Sequence, residues 1–388
     1  MTELLPVFCG RDCGGDACPL LAEKEKGRVA GIRHNPAAGP YIRGCAKGYA
    51  LPRLHYSPER LTEPLIRTGE RGSGQFREAS WDEALGLIAR RLSENVSLHG
   101  ASALLNLSSA GCTGALHGTQ ALSARFLNCL GDYTALSRNY SCAAGSYALE
   151  RAFGVDFSRS GFDPATVSKS AFIVLLGANI MEARLGAELP ARLLEASQRH
   201  VPIVVIDPRR TQTAEVLGAE WIPLRPGTDL ALLYAILNVW QRSNTIDQRF
   251  VDSHSTEFRS ILRHVLGLSD GIPKTPAWAE KITGISAETI ENLASRWINT
   301  RPAMLLPGYS IQRSGFGEET MRLCVAVQLA SANFGVPGGS TGSFNNRLPG
   351  HRCRRSEARA GARTHTYPFS AGPMLFCGGS RNTHLPSA

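Results

Sequence analysis

AFIVLLGAN at residues 171–179, followed after a helical stretch by VPIVVIDPRR at residues 201–210, decides the fold class. Two short, continuously apolar runs bounded by turn residues suit parallel strands buried on both faces. Here they are Ala171–Leu176 and Ile203–Ile206, and the helix near Leu189–Gln198 between them makes a βαβ unit. The expected class is therefore α/β with a Rossmann-like parallel sheet. In such sheets the turn after the first strand takes a dinucleotide's phosphates and an acidic residue ending the second holds a ribose. Gly177-Ala178-Asn179 and Asp207 stand at those places. The stretch has no G-x-G-x-x-G, so an ordinary nicotinamide or flavin site is not supported. A third segment, Trp221 to Asp229, runs from a short strand through Arg225-Pro-Gly227-Thr into a helix over Leu230–Trp240, with Asp229 placed to cap that helix or to accept from a guanine-type edge.

Working toward the N-terminus, Ser80-Trp-Asp-Glu83 reads as a capping box opening a helix to about Asn95, with Ala84, Leu85, Leu87, Ile88 and Leu92 as its buried stripe. Ala103–Leu107 reads as a strand, Ser108–Gly114 as a small-residue loop and Leu116–Leu130 as an amphipathic helix. A strand running into Gly and Ser before a helix makes an anion-friendly helix N-terminus. Asn139-Tyr-Ser141-Cys142-Ala-Ala-Gly145 follows, two potential metal ligands before small residues that let a bulky group approach the backbone. A serine N-cap beside a buried cysteine explains the same residues.

Toward the C-terminus, residues 244–300 read as helical linking structure. Ala303–Leu306 is a strand, the loop Pro307 to Arg313 carries Gln312, and a helix spans Glu318 to about Asn333. Gly335-Val-Pro-Gly-Gly339 reads as a loop whose backbone can approach a ligand.

The first 45 residues hold Cys9, Cys13, Cys18 and Cys45 in the spacing C-x3-C-x4-C-x26-C. Four thiolates suit an iron–sulfur cluster, zinc or copper, with free or disulfide-bonded thiols as the lesser alternative. Structural zinc sites usually present two tight ligand pairs, and Cys45 has no close partner in sequence, which favours [4Fe–4S]. Residues 1–57 are poor in periodicity and rich in Gly, Pro and Cys, so ligation rather than a hydrophobic core is expected to hold them.

At 388 residues and 43% hydrophobic the chain has material for two or three domains. No apolar run reaches the length of a membrane span, and no secretory leader fits before Cys9, so with Met1 as the start the expected compartment is the cytoplasm. Much of the formal charge of +9 lies in residues 351–388, with six arginines against the single acidic Glu357. No aromatic-interleaved stripe or recognition helix accompanies them, so nucleic acid is not the expected partner.

Taken together, the residues resemble the molybdopterin oxidoreductases of the dimethyl sulfoxide reductase family from Phe8 to about Asn346. The resemblance rests on the cysteine quartet, Cys45-Ala-Lys-Gly, Tyr56-Ser-Pro-Glu-Arg-Leu, Ser80-Trp-Asp-Glu-Ala, Val205-Ile-Asp-Pro-Arg-Arg-Thr, Arg225-Pro-Gly-Thr-Asp and Asn333-Phe-Gly-Val-Pro-Gly-Gly, in that order. It implies a [4Fe–4S] cluster and a molybdenum, or less often tungsten, ion held by molybdopterin guanine dinucleotide. It places Lys47 between cluster and pterin, Ser141 as metal ligand with Cys142 as its competitor, and Gly177, Asn179, Asp207, Arg209, Gly227, Asp229 and Gln312 around one guanine dinucleotide. Arg184, Arg209 and Arg225 are its candidate pyrophosphate cations. The implied activity is two-electron chemistry on a small-molecule substrate, commonly oxygen-atom transfer, with a ferredoxin-like electron-transfer subunit as partner. The alternatives are a remnant binding only a cluster and one nucleotide, or a non-redox hydratase or transhydroxylase.

The domains implied are 1–57 for the cluster, 58–168 for the first part of a molybdopterin oxidoreductase α/β domain, 169–346 for a Rossmann-like guanine-dinucleotide-binding domain and 347–388 for an atypical basic, disordered tail, with part of a second α/β domain in the fold. Members of this family run to roughly twice this length. The abrupt compositional change after Asn346 reads as a frameshift or premature stop, with exposed apolar surface as its physical consequence.

Overall fold

A three-stranded antiparallel sheet, β1 (Glu3–Phe8), β2 (Pro19–Glu25) and β3 (Arg28–His34), begins the chain in this computed structural model, which describes residues 2–10, 18–108, 119–136, 141–154, 160–183 and 188–344. Lys26 and Gly27, both at positive φ, form the two-residue turn joining β2 to β3, the conformation that matches strand twist. Buried Leu20 and Ala22 give this sheet a small apolar centre. The sequence alone pointed to ligation in place of a core; the two-residue alternation in Leu20 and Ala22 was too short to register. Two brief helices follow, α1 (Ala46–Tyr49) and α2 (Leu51–His55), and then a hairpin, β4 (Leu65–Arg67) with β5 (Phe76–Glu78).

Helix α3 (Trp81–His99) starts as expected: Ser80 is its N-cap and its Oγ accepts from Glu83 N–H at 3.2 Å. The Glu83 carboxylate is engaged by Arg77, which holds it below its ordinary pKa. The expected buried stripe is not buried. Leu85 and Ile88 are 56% and 52% exposed, and no residue of α3 is buried. Among the described elements its main packing partner is the short turn Ala101–Ala103 at its own C-terminal end, so amphipathic periodicity here has no facing core. The strand expected over Ala103–Leu107 is shorter, β6 (Leu105–Asn106), because Ala101–Ala103 takes a 3-10 turn. After α4 (Thr119–Asn128), β7 (Thr134–Ala135) pairs with β6 in parallel. Most of the small-residue loop after β6 lies outside the described residues.

The larger part of the chain is a parallel sheet covered on both faces. Its elements are α5 (Ala143–Phe153), β8 (Phe172–Leu176), α6 (Glu188–Gln198), β9 (Ile203–Ile206), α7 (Gln212–Val216), β10 (Glu220–Ile222), α8 (Asp229–Arg242), α9 (Gln248–His254), α10 (Phe258–Val265), α11 (Pro276–Thr283), α12 (Ala287–Asn299), β11 (Ala303–Pro307) and α13 (Gly317–Ala330). Strand order is β10-β9-β8-β11, every pair parallel. Alternation sorts the strand side chains. Phe172, Val174 and Leu176 join Val204, Ile206 and Leu305 against α8, α12, α13 and α5, whereas Ile173 and Leu175 join Val205, Met304 and Leu306 against α6 and α7. Trp240 and Trp297 meet edge to face at 5.7 Å inside the first core, and Trp240 Nε1 donates to the Ala294 carbonyl at 2.8 Å.

Two glycines of the loop after α13, Gly338 and Gly339, face other parts of the chain. A Cβ at Gly338 would stand 2.5 Å from the Lys169 carbonyl oxygen, and one at Gly339 would stand 2.0 Å from that of Asn333. Ser170 Oγ donates to the Gly338 carbonyl, while Asn333 Oδ1 accepts from Ala303 N–H, so the loop closes the starting edge of β8 and β11. The glycines there serve close chain packing.

The N-terminal module touches this core through Tyr41. Its ring lies 3.4 Å from the Arg192 guanidinium carbon, and its hydroxyl donates to Glu195 on α6 at 3.3 Å.

Candidate functional site

Strand order fixes where a site can form. From β8 the chain passes to β9 and β10 on one side of the sheet, and β11 returns on the other, so the loops leaving β8 and β11 diverge at a topological switch point. Crevices at such points, beyond the C-terminal ends of the strands, are where open α/β sheets bind ligands. Gly177, at φ +59, ends β8, and its carbonyl accepts from Ser310 Oγ at 2.7 Å. A Cβ on Gly177 would lie 2.5 Å from that same oxygen, and one on Gly308 would lie 1.8 Å from the Gly177 carbonyl oxygen. Two backbones therefore meet at the crevice with no room for side chains between them.

The rest of the β8 exit turn and two further loops reach the same edge. Asn179 Oδ1 accepts from Thr213 Oγ1 at 2.7 Å, Thr213 Oγ1 accepts from Met181 N–H at 3.0 Å, and Glu182 contacts the Asn179 amide. These bonds make Asn179 a brace for its own turn. Asp207 ends β9; its Oδ1 accepts from Arg209 N–H at 3.0 Å and its carbonyl from Trp221 Nε1 at 2.9 Å. Gly227, at φ +76, makes the turn before α8 and lies against Ser314 of the β11–α13 loop. Arg225, an expected pyrophosphate cation, is exposed and has one guanidinium nitrogen engaged by the protein. It donates to the Lys281 and Ile282 carbonyls at the end of α11. Arg209 is exposed, and Arg184 lies outside the described residues.

Asp229 is the first residue of α8 and Thr228 is its N-cap, so Asp229 does not cap the helix. It is 6% exposed. Burial, with a contribution from the Asp207 charge and against a bond from its own backbone N–H, pushes its carboxyl up to about 6. Among the described residues this buried carboxyl, beside a second carboxyl, has no cation and only its own backbone N–H as a donor. The N–H edge of a guanine would supply others, which is how the residues present fit the expected nucleotide.

The Ser141–Gly145 segment enters the same edge from α5. The N-cap is Cys142 rather than Ser141, and Cys142 makes no side-chain capping bond. Gln312 spans the segment: Nε2 donates to the Ser141 carbonyl at 2.9 Å and Oε1 accepts from Gly145 N–H at 2.7 Å. Arg313 Nε also donates to the Ser141 carbonyl, at 2.9 Å. The sequence placed Gln312 in the site without giving it a partner, because this contact spans 171 residues. Asn139 and Tyr140 lie outside the described residues.

At the other end of the chain, Cys9 N–H donates to the Cys18 carbonyl at 2.9 Å, closing the β1–β2 pair at its open end. Cys45 is the N-cap of α1, and a Cβ built on Gly48 of that helix would lie 3.4 Å from Cys9 Sγ. The fold thus draws the Cys9–Cys18 strand ends and the Cys45 helix together over Leu20, while Cys13 lies outside the described residues. Among the described residues no group of three or more Cys, His, Asp or Glu side chains forms a closed metal-ligand set. Lys47 is exposed on α1, two residues beyond Cys45.

The fold is thus a parallel α/β sheet whose switch-point loops bring glycine turns, two carboxyls and a clamped Ser-Cys turn to one edge. The family description of the molybdopterin oxidoreductases matches residues 60–376, and the chain belongs to that family, in its dimethyl sulfoxide reductase branch. It is 35% identical over 365 residues to dimethyl sulfoxide reductase DmsA of Haemophilus influenzae, covering 86% of this chain and 44% of the relative. It is 30% identical to the dimethyl sulfoxide/trimethylamine N-oxide reductase of Cereibacter sphaeroides, covering 83% and 41%. Acetylene hydratase from Pelobacter acetylenicus shares the fold, with a TM-score of 0.64 at 24% identity over 86% of this chain and 44% of that one. The chain spans less than half the length of these relatives. The family is named for its molybdopterin cofactor. No helix among the described residues is long and apolar enough to cross a membrane.

Proposed function

We propose that the chain carries the cluster module and one guanine-dinucleotide site of a molybdopterin-dependent oxidoreductase that reduces small S-oxide or N-oxide substrates by two electrons. The observation that carries this reading is the meeting of Asp207, buried Asp229, the Gly177 and Gly227 turns and the Gln312-clamped Ser141–Gly145 segment at one crevice. Asp229 and Asp207 would hold the guanine and ribose of the dinucleotide, with Gly177, Gly227 and Asn179 shaping the turns around it and Arg209 available to its phosphates. Ser141, or Cys142 in its place, would ligate the metal. Bound molybdenum, or tungsten, supplies two-electron exchange and commonly oxygen-atom transfer. The protein's own part is to fix the ligand, orient the dinucleotide and govern access. Cys9, Cys13, Cys18 and Cys45 would hold a [4Fe–4S] cluster, Lys47 would stand toward the pterin, and a ferredoxin-like subunit would deliver electrons.

Elemental analysis of anaerobically purified protein tests the reading. It expects four irons and about one molybdenum or tungsten per chain, with a guanine nucleotide released on denaturation. Iron with neither heavy metal, and no nucleotide, would leave a cluster-binding remnant; zinc in place of iron would remove the cluster assignment.

A further inference from the structure

The first turn of a helix leaves N–H groups that the N-cap side chain ordinarily satisfies, most often at the third helical residue. In α5 that residue is Gly145, and its donor goes to Gln312 Oε1, from a loop on the far side of the switch point. Gln312 is 3% exposed and uses both ends of its amide, the other end on the Ser141 carbonyl. With Arg313 Nε on the same oxygen, that carbonyl has two donors. The clamp leaves no space: a Cβ on Gly145 would stand 2.3 Å from the Phe344 ring and 3.0 Å from Gln312 Oε1. Phe344 in turn meets the Tyr309 ring at 4.6 Å, so the loop after β11 and the segment after α13 brace the clamp together.

We propose that Gln312 is a positioning residue that caps α5 from another loop in place of Cys142, and so fixes the direction in which the Ser141-Cys142 pair faces the cofactor. The inference deepens the functional reading above and rests on its assignment of Ser141 or Cys142 as metal ligand. A capping side chain at position 142 would be turned back onto the helix; transferring that bond to Gln312 releases the turn from this constraint while the two ends of the segment stay tied to β11. The Gln312 amide spends its hydrogen bonds on the backbone groups of Gly145 and Ser141, so it acts through the turn it holds.

The test compares Gln312→Ala and Gln312→Glu with the parent chain loaded with cofactor, and includes Ser141→Ala and Cys142→Ala as references. Three readouts are taken: molybdenum content, the EPR spectrum of the bound molybdenum, and amide hydrogen exchange of the peptide spanning 141–150. Gln312→Ala removes both bonds, so exchange at the start of α5 rises at least tenfold and the EPR spectrum broadens or shifts, while metal content stays within twofold. Gln312→Glu keeps an acceptor for Gly145 N–H but puts a carboxylate oxygen against the Ser141 carbonyl. Its exchange therefore stays near the parent's while its spectrum still changes. Faster exchange with an unaltered spectrum in both variants would make Gln312 a helix cap and nothing more, which overturns the proposal. If neither Ser141→Ala nor Cys142→Ala alters the spectrum, the ligand assignment itself fails; if one of them does and the Gln312 variants do not, the positioning role fails alone.

Discussion

A Cβ on Gly308 would stand 1.8 Å from the carbonyl oxygen of Gly177, so the loops that end β11 and β8 touch backbone to backbone at the switch point. Gly308 N–H also donates to the Leu176 carbonyl at 2.8 Å, and Gly177 N–H to that of Ile206 at the same distance. Gly308→Ala must therefore push the two strands apart or break these bonds, at a cost of about 1–3 kcal/mol and more if the backbone cannot give. Gly177→Ala adds the strain of its positive φ and a collision with Ser310 Oγ. Chemical denaturation of both variants should show lower midpoints than the parent, and cofactor loading should fall with them, since the crevice is the part deformed. An unchanged midpoint for Gly308→Ala would show that the contact relaxes freely.

Asp229 makes stability depend on pH in an unusual direction for a carboxylate. Its folded pKa of about 6 lies above the ordinary 3.8, so between those values the folded chain binds more protons than the unfolded one. The favourable contribution is fully present below about 3.8 and is lost as pH rises through about 6, which leaves the cofactor-free chain roughly 2–3 kcal/mol less stable at neutral pH than a neutral group there would make it. Asp229→Asn should thus raise the midpoint of the cofactor-free chain at pH 8 and have little effect near pH 3.5. Denaturant titrations at the two pH values measure the difference. A guanine-type donor bound at Asp229 should lower its pKa and flatten the pH dependence of the parent.

The parallel sheet was legible because burial on both faces leaves a signal that survives in four or five residues: Ile203–Ile206 falls where the apolar run ends at Asp207. The helices α6, α8 and α13 were legible for the same reason, their packing stripes being long. What the sequence hides is anything settled across distance. Gln312 reaches Ser141 and Gly145 from another loop, Arg225 turns to the end of α11, and Gly338 meets Lys169 at the opposite edge of the sheet from the crevice. Local pattern also could not say that α3 has no facing core among the described residues, since amphipathic periodicity records what a helix could bury and not what lies opposite it.

Leu85 and Ile88 on α3, together with Leu122 and Phe126 on α4, are each more than half exposed among the described residues, and Trp81 is 63% exposed. Apolar surface of this kind binds hydrophobic dyes and promotes association. The chain should therefore enhance the fluorescence of an anilinonaphthalene dye and self-associate with rising concentration in analytical ultracentrifugation. Leu85→Lys with Ile88→Lys should reduce both, at little cost in stability because neither side chain is buried. Equal dye binding by the double variant would place the dye elsewhere.

The N-terminal module and the sheet domain should separate under iron removal, because they are held by different means. Residues 2–10 and 18–57 bury few side chains, Leu20 and Ala22 among them, whereas the sheet domain has two extensive apolar cores, neither of which includes a candidate cluster cysteine. With a cluster on Cys9, Cys13, Cys18 and Cys45, ligation would be a large share of the module's folding energy. Chelation of iron, or Cys45→Ala, should expose residues 2–57 to limited proteolysis while a fragment containing β8 to α13 persists. Arg192→Ala removes the stacking on Tyr41 and leaves Glu188, its partner at 3.0 Å, without its cation. That variant should loosen the attachment of the module by about 1 kcal/mol while leaving iron content unchanged. Faster cleavage between residues 35 and 60 at full iron occupancy would mark the Tyr41 contact as the attachment. Identical cleavage with and without iron would mean that the small sheet around Leu20 stands without a cluster.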